Sequence, residues 1–239
     1  VTDINLTDDR KPSLFSMILA LFHHPGRVIH ILAFTRSPLI PILVVALLYG
    51  ALKLTTLPEI IATYDSPEFR TEYLKSVGTN IEQGEKALKL MKDYAAVWIF
   101  VEAPILIAGS VIMTAFVLFL AGRTFFRERI VLFRPIMGMV AWAGMITLIP
   151  LILGIILWFI NPGLKLPTNA AYFLPMELQK GYYGGVLSAI DLFFIWQAAV
   201  IAIGVSKLFV ISINQAVTLV GTICVVFAIL YGISIEMAV

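Results

Sequence analysis

Residues 95–121 read AAVWIFVEAPILIAGSVIMTAFVLFLA, with Glu102 as the one charged side chain in the run. A helix needs about 20 mostly apolar residues to cross ~30 Å of hydrocarbon, and this run exceeds that length. Working outward, four further stretches pass the same test: 39–57, 135–160, 187–209 and 216–238. The expected fold class is therefore all-α, a polytopic membrane bundle of five transmembrane helices. The last two spans are separated by a few residues around Ser212–Gln215, a tight helical hairpin. Pro150 removes a helical hydrogen bond from the third span and predicts a kink there.

Composition agrees. Of 239 residues, 60% are hydrophobic and 13% charged, with a mean hydropathy of +0.95. A soluble domain carries about 25% charged residues and must present part of its surface to water. A net charge of +2 and the lack of any long basic run give no reason to expect nucleic acid as a partner. The single cysteine, Cys224, excludes an internal disulfide framework and reads as a small core residue. The first 13 residues, VTDINLTDDRKPS, are too polar and acidic for a secretory signal.

Two regions lie outside the spans. Residues 1–37 form a cytoplasmic N-terminal segment, in which 13–34 is broken by Pro25-Gly26 into two short helices lying in the membrane interface. A true span here is the lesser alternative. The remainder, 38–239, is the membrane domain and includes one hydrophilic loop at 58–94. Within that loop Ser66-Pro67-Glu68 carries the signals of a helix start, a serine cap followed by proline and an acid. Gly78 and Asn80 then separate two helices. No internal repeat is evident.

Orientation follows from lysine and arginine. The N-terminal segment carries Arg10, Lys11, Arg27 and Arg36, and the short loop between spans two and three carries Arg123, Arg127, Arg129 and Arg134 against Glu128. Lys207 lies at the start of the last hairpin. These place the N-terminus inside and the C-terminus outside, with 58–94 extracytoplasmic.

Three ionisable residues fall within apolar spans: Lys53, Glu102 and Asp191. Residue counting puts all three roughly 6 to 11 Å below the outer boundary, in one layer. Asp191 shares a helix face with Ala198, Ala202 and Ser206, Glu102 with Gly109, and Lys53 with Tyr49 and Ala46, which aims them into the bundle. Glu102 and Asp191 are the candidate cation or proton site, with Lys53 as counter-charge. Each also has a structural reading: Lys53 snorkelling to the headgroups, Asp191 capping span four, and Glu102 bonded at an irregular turn before Pro104.

Other candidates concern surfaces. Arg123, Arg127 and Arg129 are candidates for anionic lipid or an acidic partner, and otherwise serve to fix topology. His23, His24 and His30 lack the i, i+4 spacing of a helical metal pair and read as interfacial. Trp98, Trp158 and Tyr94 fit an aromatic belt. Tyr182-Tyr183-Gly184-Gly185 reads as an outer loop entering span four. Gly221, Ala228 and Gly232 form a small-residue stripe suited to a second copy or another membrane protein.

The stretch Asp191-Leu192-Phe193-Phe194-Ile195-Trp196-Gln197, followed by Ile203-Gly204-Val205-Ser206-Lys207-Leu208, resembles the fourth span of the Yip family of five-span, Ypt/Rab-interacting membrane proteins. Leu21-Phe22-His23-His24-Pro25-Gly26 resembles that family's amphipathic lead-in. The resemblance covers nearly the whole chain, although only the fourth-span motif is specific. It implies a cytoplasmic N-terminus, five helices and no enzymatic activity; eukaryotic members act in vesicle traffic and in shaping early secretory membranes. No cofactor is expected, beyond a bound cation at the site above. The chain lacks their long cytoplasmic tail and the DLYGP-type motif before span one, and looks like a prokaryotic member of the cytoplasmic membrane, to which the trafficking role does not carry over. Two functions are expected from these features. One is a non-enzymatic protein organising lipid or recruiting partners; the other is a small transporter or cation-binding protein using Glu102 and Asp191. An intramembrane enzyme has no supporting motif, since no serine–histidine or HExxH arrangement occurs.

Overall fold

A computed structural model of the chain describes residues 13–77, 81–126, 132–161, 166–179 and 181–237. Arg10, Lys11, Gly78, Asn80, Arg127, Glu128 and Arg129 lie outside the described residues. The described chain is helical: α1 (Leu14–His23), α2 (Pro25–Thr35), α3 (Leu39–Thr55), α4 (Leu57–Asp65), α5 (Pro67–Val77), α6 (Ile81–Asp93), α7 (Ala95–Phe125), α8 (Phe133–Ala143), α9 (Leu148–Ile160), α10 (Met176–Gln179), α11 (Tyr182–Ser188), α12 (Leu192–Phe209) and α13 (Ile213–Glu236). Short 3-10 turns occupy Gly144–Thr147 and Ala170–Phe173.

Among the described residues four segments are long and apolar enough to cross a membrane: α7, α8 with α9, α12 and α13. Helix α3 has 17 residues and reaches that standard only together with α2, across a bent break at 36–38. The third span, Phe133–Ile160, is continuous but changes to a 3-10 turn upstream of Pro150. Pro150 has no N–H to offer the carbonyl of Ile146, and the chain tightens into the 3-10 turn that contains Ile146. Pro104, by contrast, sits inside an uninterrupted α7. Span four begins at Leu192 rather than at 187, because 182–188 forms its own helix, α11.

By its internal contacts the chain divides into two units. The first comprises the described residues of Val1–Pro41, Ser110–Ile149 and Pro167–Val239. Its centre is a packing of α2, α8 and α12 in which Ile29, Leu32, Ile136, Met139, Trp142 and Val205 are fully or almost fully buried. Two glycines set the spacing. A Cβ on Gly138 would lie 2.7 Å from the carbonyl oxygen of Ala33 in α2, and one on Gly204 would lie 2.3 Å from Met139 Sδ. In lipid, where apolar burial gains little, such close approach is what holds helices together. Helix α1 packs on α2, with Met17, Ala20 and Leu21 buried, and Phe22 meets Trp196 edge to face at 6.0 Å.

The α12–α13 hairpin turns through Val210, which is left-handed at φ 54°, an unfavourable conformation for a β-branched residue. Bonds across the turn hold it: Ile211 N–H donates to Ser206 O at 3.1 Å and Ser206 Oγ to Ile211 O at 2.7 Å. Ser212 and Gln215 then form a reciprocal capping box on α13. Near the far end of α13, Gly232 is covered by Val186 and the Tyr182 carbonyl of α11, and Gly185 of α11 approaches Gly232 in return. The Tyr182–Gly185 stretch is thus a helix and not a loop; its glycines let the two backbones touch. The expected small-residue stripe is divided: Gly232 is covered within the chain, whereas a Cβ on Gly221 would meet nothing within 4 Å.

The second unit comprises Ile42–Gly109 and the described residues of Pro150–Leu166. Gly50 of α3 faces Phe100 and Ala103 of α7, and Gly154 of α9 faces Leu52. The hydrophilic loop holds three helices, α4 to α6, instead of two. Ser66 caps α5, accepting from Phe69 N–H at 3.2 Å as its sequence implied. Ion pairs Arg70–Glu85, at 2.6 Å, and Lys92–Asp65 tie these helices, with Phe69 stacked on Tyr73 and tilted against Tyr64 alongside.

Gly138→Ala drives a methyl into the backbone of Ala33 and is expected to destabilise the protein by about 1–3 kcal/mol, whereas Gly221→Ala should be neutral or slightly stabilising. Thermal unfolding of both variants in detergent reads the difference; equal midpoints would contradict the packing.

Candidate functional site: a cleft beside the α12–α13 hairpin

Within the first unit, the C-terminal part of α7 and the facing sides of α12 and α13 enclose a cleft of about 690 Å³. That volume lies in the range of ~300–1,000 Å³ typical of ligand sites. Phe194, Gln197, Ala198 and Ile201 line it from α12, the i, i+3, i+4, i+7 spacing of one helix face. From α13 come Val220, Cys224 and Tyr231, among others, and from α7 Thr114 and Leu118. The two hairpin helices run antiparallel, so by residue count Tyr231 stands level with Asp191, and Val220 with Ile201.

The cleft is polar at one end and apolar at the other. At the polar end the chain entering α12 pairs with an earlier segment: Ala170 N–H donates to Ile190 O and Leu192 N–H to Thr168 O, both at 3.0 Å. This bridge sets Asn169 opposite Asp191. Asp191 is the N-cap of α12, its Oδ1 accepting from Phe193 N–H at 2.8 Å and Phe194 N–H at 3.1 Å. Its Oδ2 has no protein partner among the described residues, and neither do the Gln197 amide and the Asn169 Nδ2. Asn169 Oδ1 caps its own turn at Tyr172, and Ser188 Oγ donates to Gly185 O. Towards the other end the lining is Leu118, Ile201 and Val220, without a polar side chain.

The sequence-derived candidates fall as follows. Asp191 is a cap, placed just before the helix rather than four residues inside it; the helix starts later than hydropathy alone indicated. It belongs to the first unit. Lys53 and Glu102 belong to the second, where both are half-buried and no ion pair joins them. Lys53 Nζ instead lies 5.9 Å from the centre of the Tyr49 ring. Gly109, expected to mark a close contact on the Glu102 face, has open space where its Cβ would be. Arg123 is exposed, its guanidinium 5.6 Å from the Phe119 ring centre. Arg127 and Arg129 lie outside the described residues.

His23 and His24 are exposed, and His30 is half-buried with its Nδ1 unbonded. Among the described residues no three His, Cys, Asp or Glu side chains converge as a metal site would require. Cys224 is not simply a core residue, since it lines the cleft. Of the α12 face expected from the sequence, Asp191 and Ala198 line the cleft, whereas Ala202 is buried and Ser206 bonds across the hairpin turn. That Asn169 and Ser188 would meet this face was not legible, because they arrive through tertiary pairing.

No family model, curated protein or solved structure matches this chain.

Because Asn caps helices about as well as Asp, Asp191→Asn should keep the stability of α12, whereas Asp191→Ala should cost about 0.5–2 kcal/mol. Unfolding midpoints of the two variants measure the cap; a loss of equal size in both would show that charge, and not capping, is what Asp191 contributes.

Proposed function

We propose that this chain is a non-enzymatic multi-pass membrane protein that organises lipid, receiving a lipid tail in the cleft between α7, α12 and α13. The observation that carries the reading is the cleft itself, with a polar end at Asp191 and Asn169 and an apolar end at Leu118, Ile201 and Val220. In this reading α3 is the first of five crossings, the N-terminus is cytoplasmic, and the membrane is a prokaryotic cytoplasmic one. Helices α1 and α2 lie at the membrane interface, a placement supported by Phe15 and Phe34, which are 71% and 58% exposed on helices whose other faces are packed. Arg123, with Arg127 and Arg129, meets anionic headgroups or an acidic partner on the cytoplasmic side. The resemblance to Yip-type proteins supports the same class of function.

The alternative is a small transporter or cation- or proton-binding protein that uses Asp191, and the observation in its favour is the Oδ2 of Asp191, which has no partner among the described residues. It differs in what stabilises the folded state. A bound cation at a hundred times its Kd would add about 2.7 kcal/mol of stability, and Asp191→Asn would remove that gain.

Ala198→Trp fills the middle of the cleft. The purified variant is expected to retain wild-type helicity while losing the lipid that accompanies the wild type, as read by mass spectrometry of the intact complex. Retention at the wild-type level would remove the basis for lipid binding in the cleft.

A further inference from the structure

We infer that the cleft selects a membrane lipid whose headgroup carries a primary amine. This rests on the lipid reading above and adds the identity of the head. Two features of the cleft point to it, one of length and one of charge.

The length fits one leaflet. From Asp191 to Ile201 the α12 face spans ten residues, or roughly 15 Å at the helical rise, half of the ~30 Å hydrocarbon thickness. A tail lying along this face, with its end against Leu118, Ile201 and Val220, brings its head level with Asp191.

The charge at that level has one sign. Asp191 is the one charged side chain among the described residues lining the cleft. Its Oδ1 is occupied by the cap, and its Oδ2 remains an acceptor. The Ser188 hydroxyl and the Gln197 and Asn169 side chains add neutral hydrogen-bonding capacity at the same end. A primary ammonium has three donors and a positive charge to set against a carboxylate, and a charge-assisted bond in a low-dielectric setting is the strong kind. A choline head has the charge but no N–H. A glycerol head has hydroxyl donors but no positive charge to offset its phosphate, which Asp191 repels.

Cys224 supplies the readout, because it is the single cysteine of the chain and lines the cleft. The rate of its reaction with N-ethylmaleimide is measured in maltoside micelles doped with phosphatidylethanolamine, phosphatidylcholine or phosphatidylglycerol of identical chains. Phosphatidylethanolamine is expected to protect Cys224 at about tenfold lower concentration than the other two, the effect of one hydrogen bond to a charged group. In Asp191→Asn, where the cap is kept, the three lipids should protect alike. Equal protection by all three in the wild type would overturn the amine preference and leave the lipid cleft standing. If none of the three protects Cys224, the lipid cleft falls and the amine preference with it.

Discussion

The approach of Gly138 to the backbone of Ala33, and of Gly204 to Met139, is the contact on which the rest of the first unit depends. In a bilayer the apolar faces of helices gain little by meeting each other, since lipid tails solvate them equally well. Attraction must then come from dispersion at short range, which falls steeply when even one methyl intervenes. Glycine at 138 and 204 lets α2 and α12 close on α8, and the bulky side chains around them, Ile29, Leu32, Met139 and Trp142, fill what remains. Trp142 is fully buried with its indole N–H unbonded, an unsatisfied donor that this packing tolerates.

With α12 held in this way, its partner α13 is positioned from both ends. At one end Val210 takes a left-handed conformation that its branched side chain resists, and the Ser206–Ile211 bonds with the Ser212–Gln215 box hold it there. At the other end α11 lies on α13 through Gly185 and Gly232. Between these two attachments the facing sides of α12 and α13 do not close completely, and α7 supplies the third wall. The cleft is a consequence of where the small residues are: Ala198 and Ala228 line it, and larger side chains there would fill it. Its polar end exists because the backbone before α12 must satisfy its own hydrogen bonds. The 168–170 strand-like pairing and the Asp191 cap do so, and they leave acceptor and donor capacity over.

Much of this was legible in the residues. Apolar runs of sufficient length predicted the helices, the Ser212–Gln215 signal located the last hairpin, and Ser66-Pro67-Glu68 marked a helix start with its capping serine. The errors have identifiable causes. Hydropathy merged α11 with α12 because Leu187, Ala189 and Ile190 continue the apolar run across a backbone break that leaves no trace in composition. Tyr182-Tyr183-Gly184-Gly185 read as a loop because paired glycines commonly mark turns, whereas here they serve helix contact. Of the two sequence readings of Asp191, the structure shows the cap: it stands one position ahead of α12 and accepts from Phe193 and Phe194 N–H.

What the sequence determined by itself is the class: with 60% hydrophobic residues and runs long and apolar enough to span a membrane, the chain is suited to lipid rather than to water. Helix was then the required backbone, because every amide in lipid has to be bonded within its own segment. Which faces meet was decided only by tertiary structure. Asn169, Ser188, Asp191, Thr114 and Cys224 are spread over five segments, and no periodicity connects them. They line one cleft because the Gly204 contact closes one side of α12 on α8 and leaves the other side open.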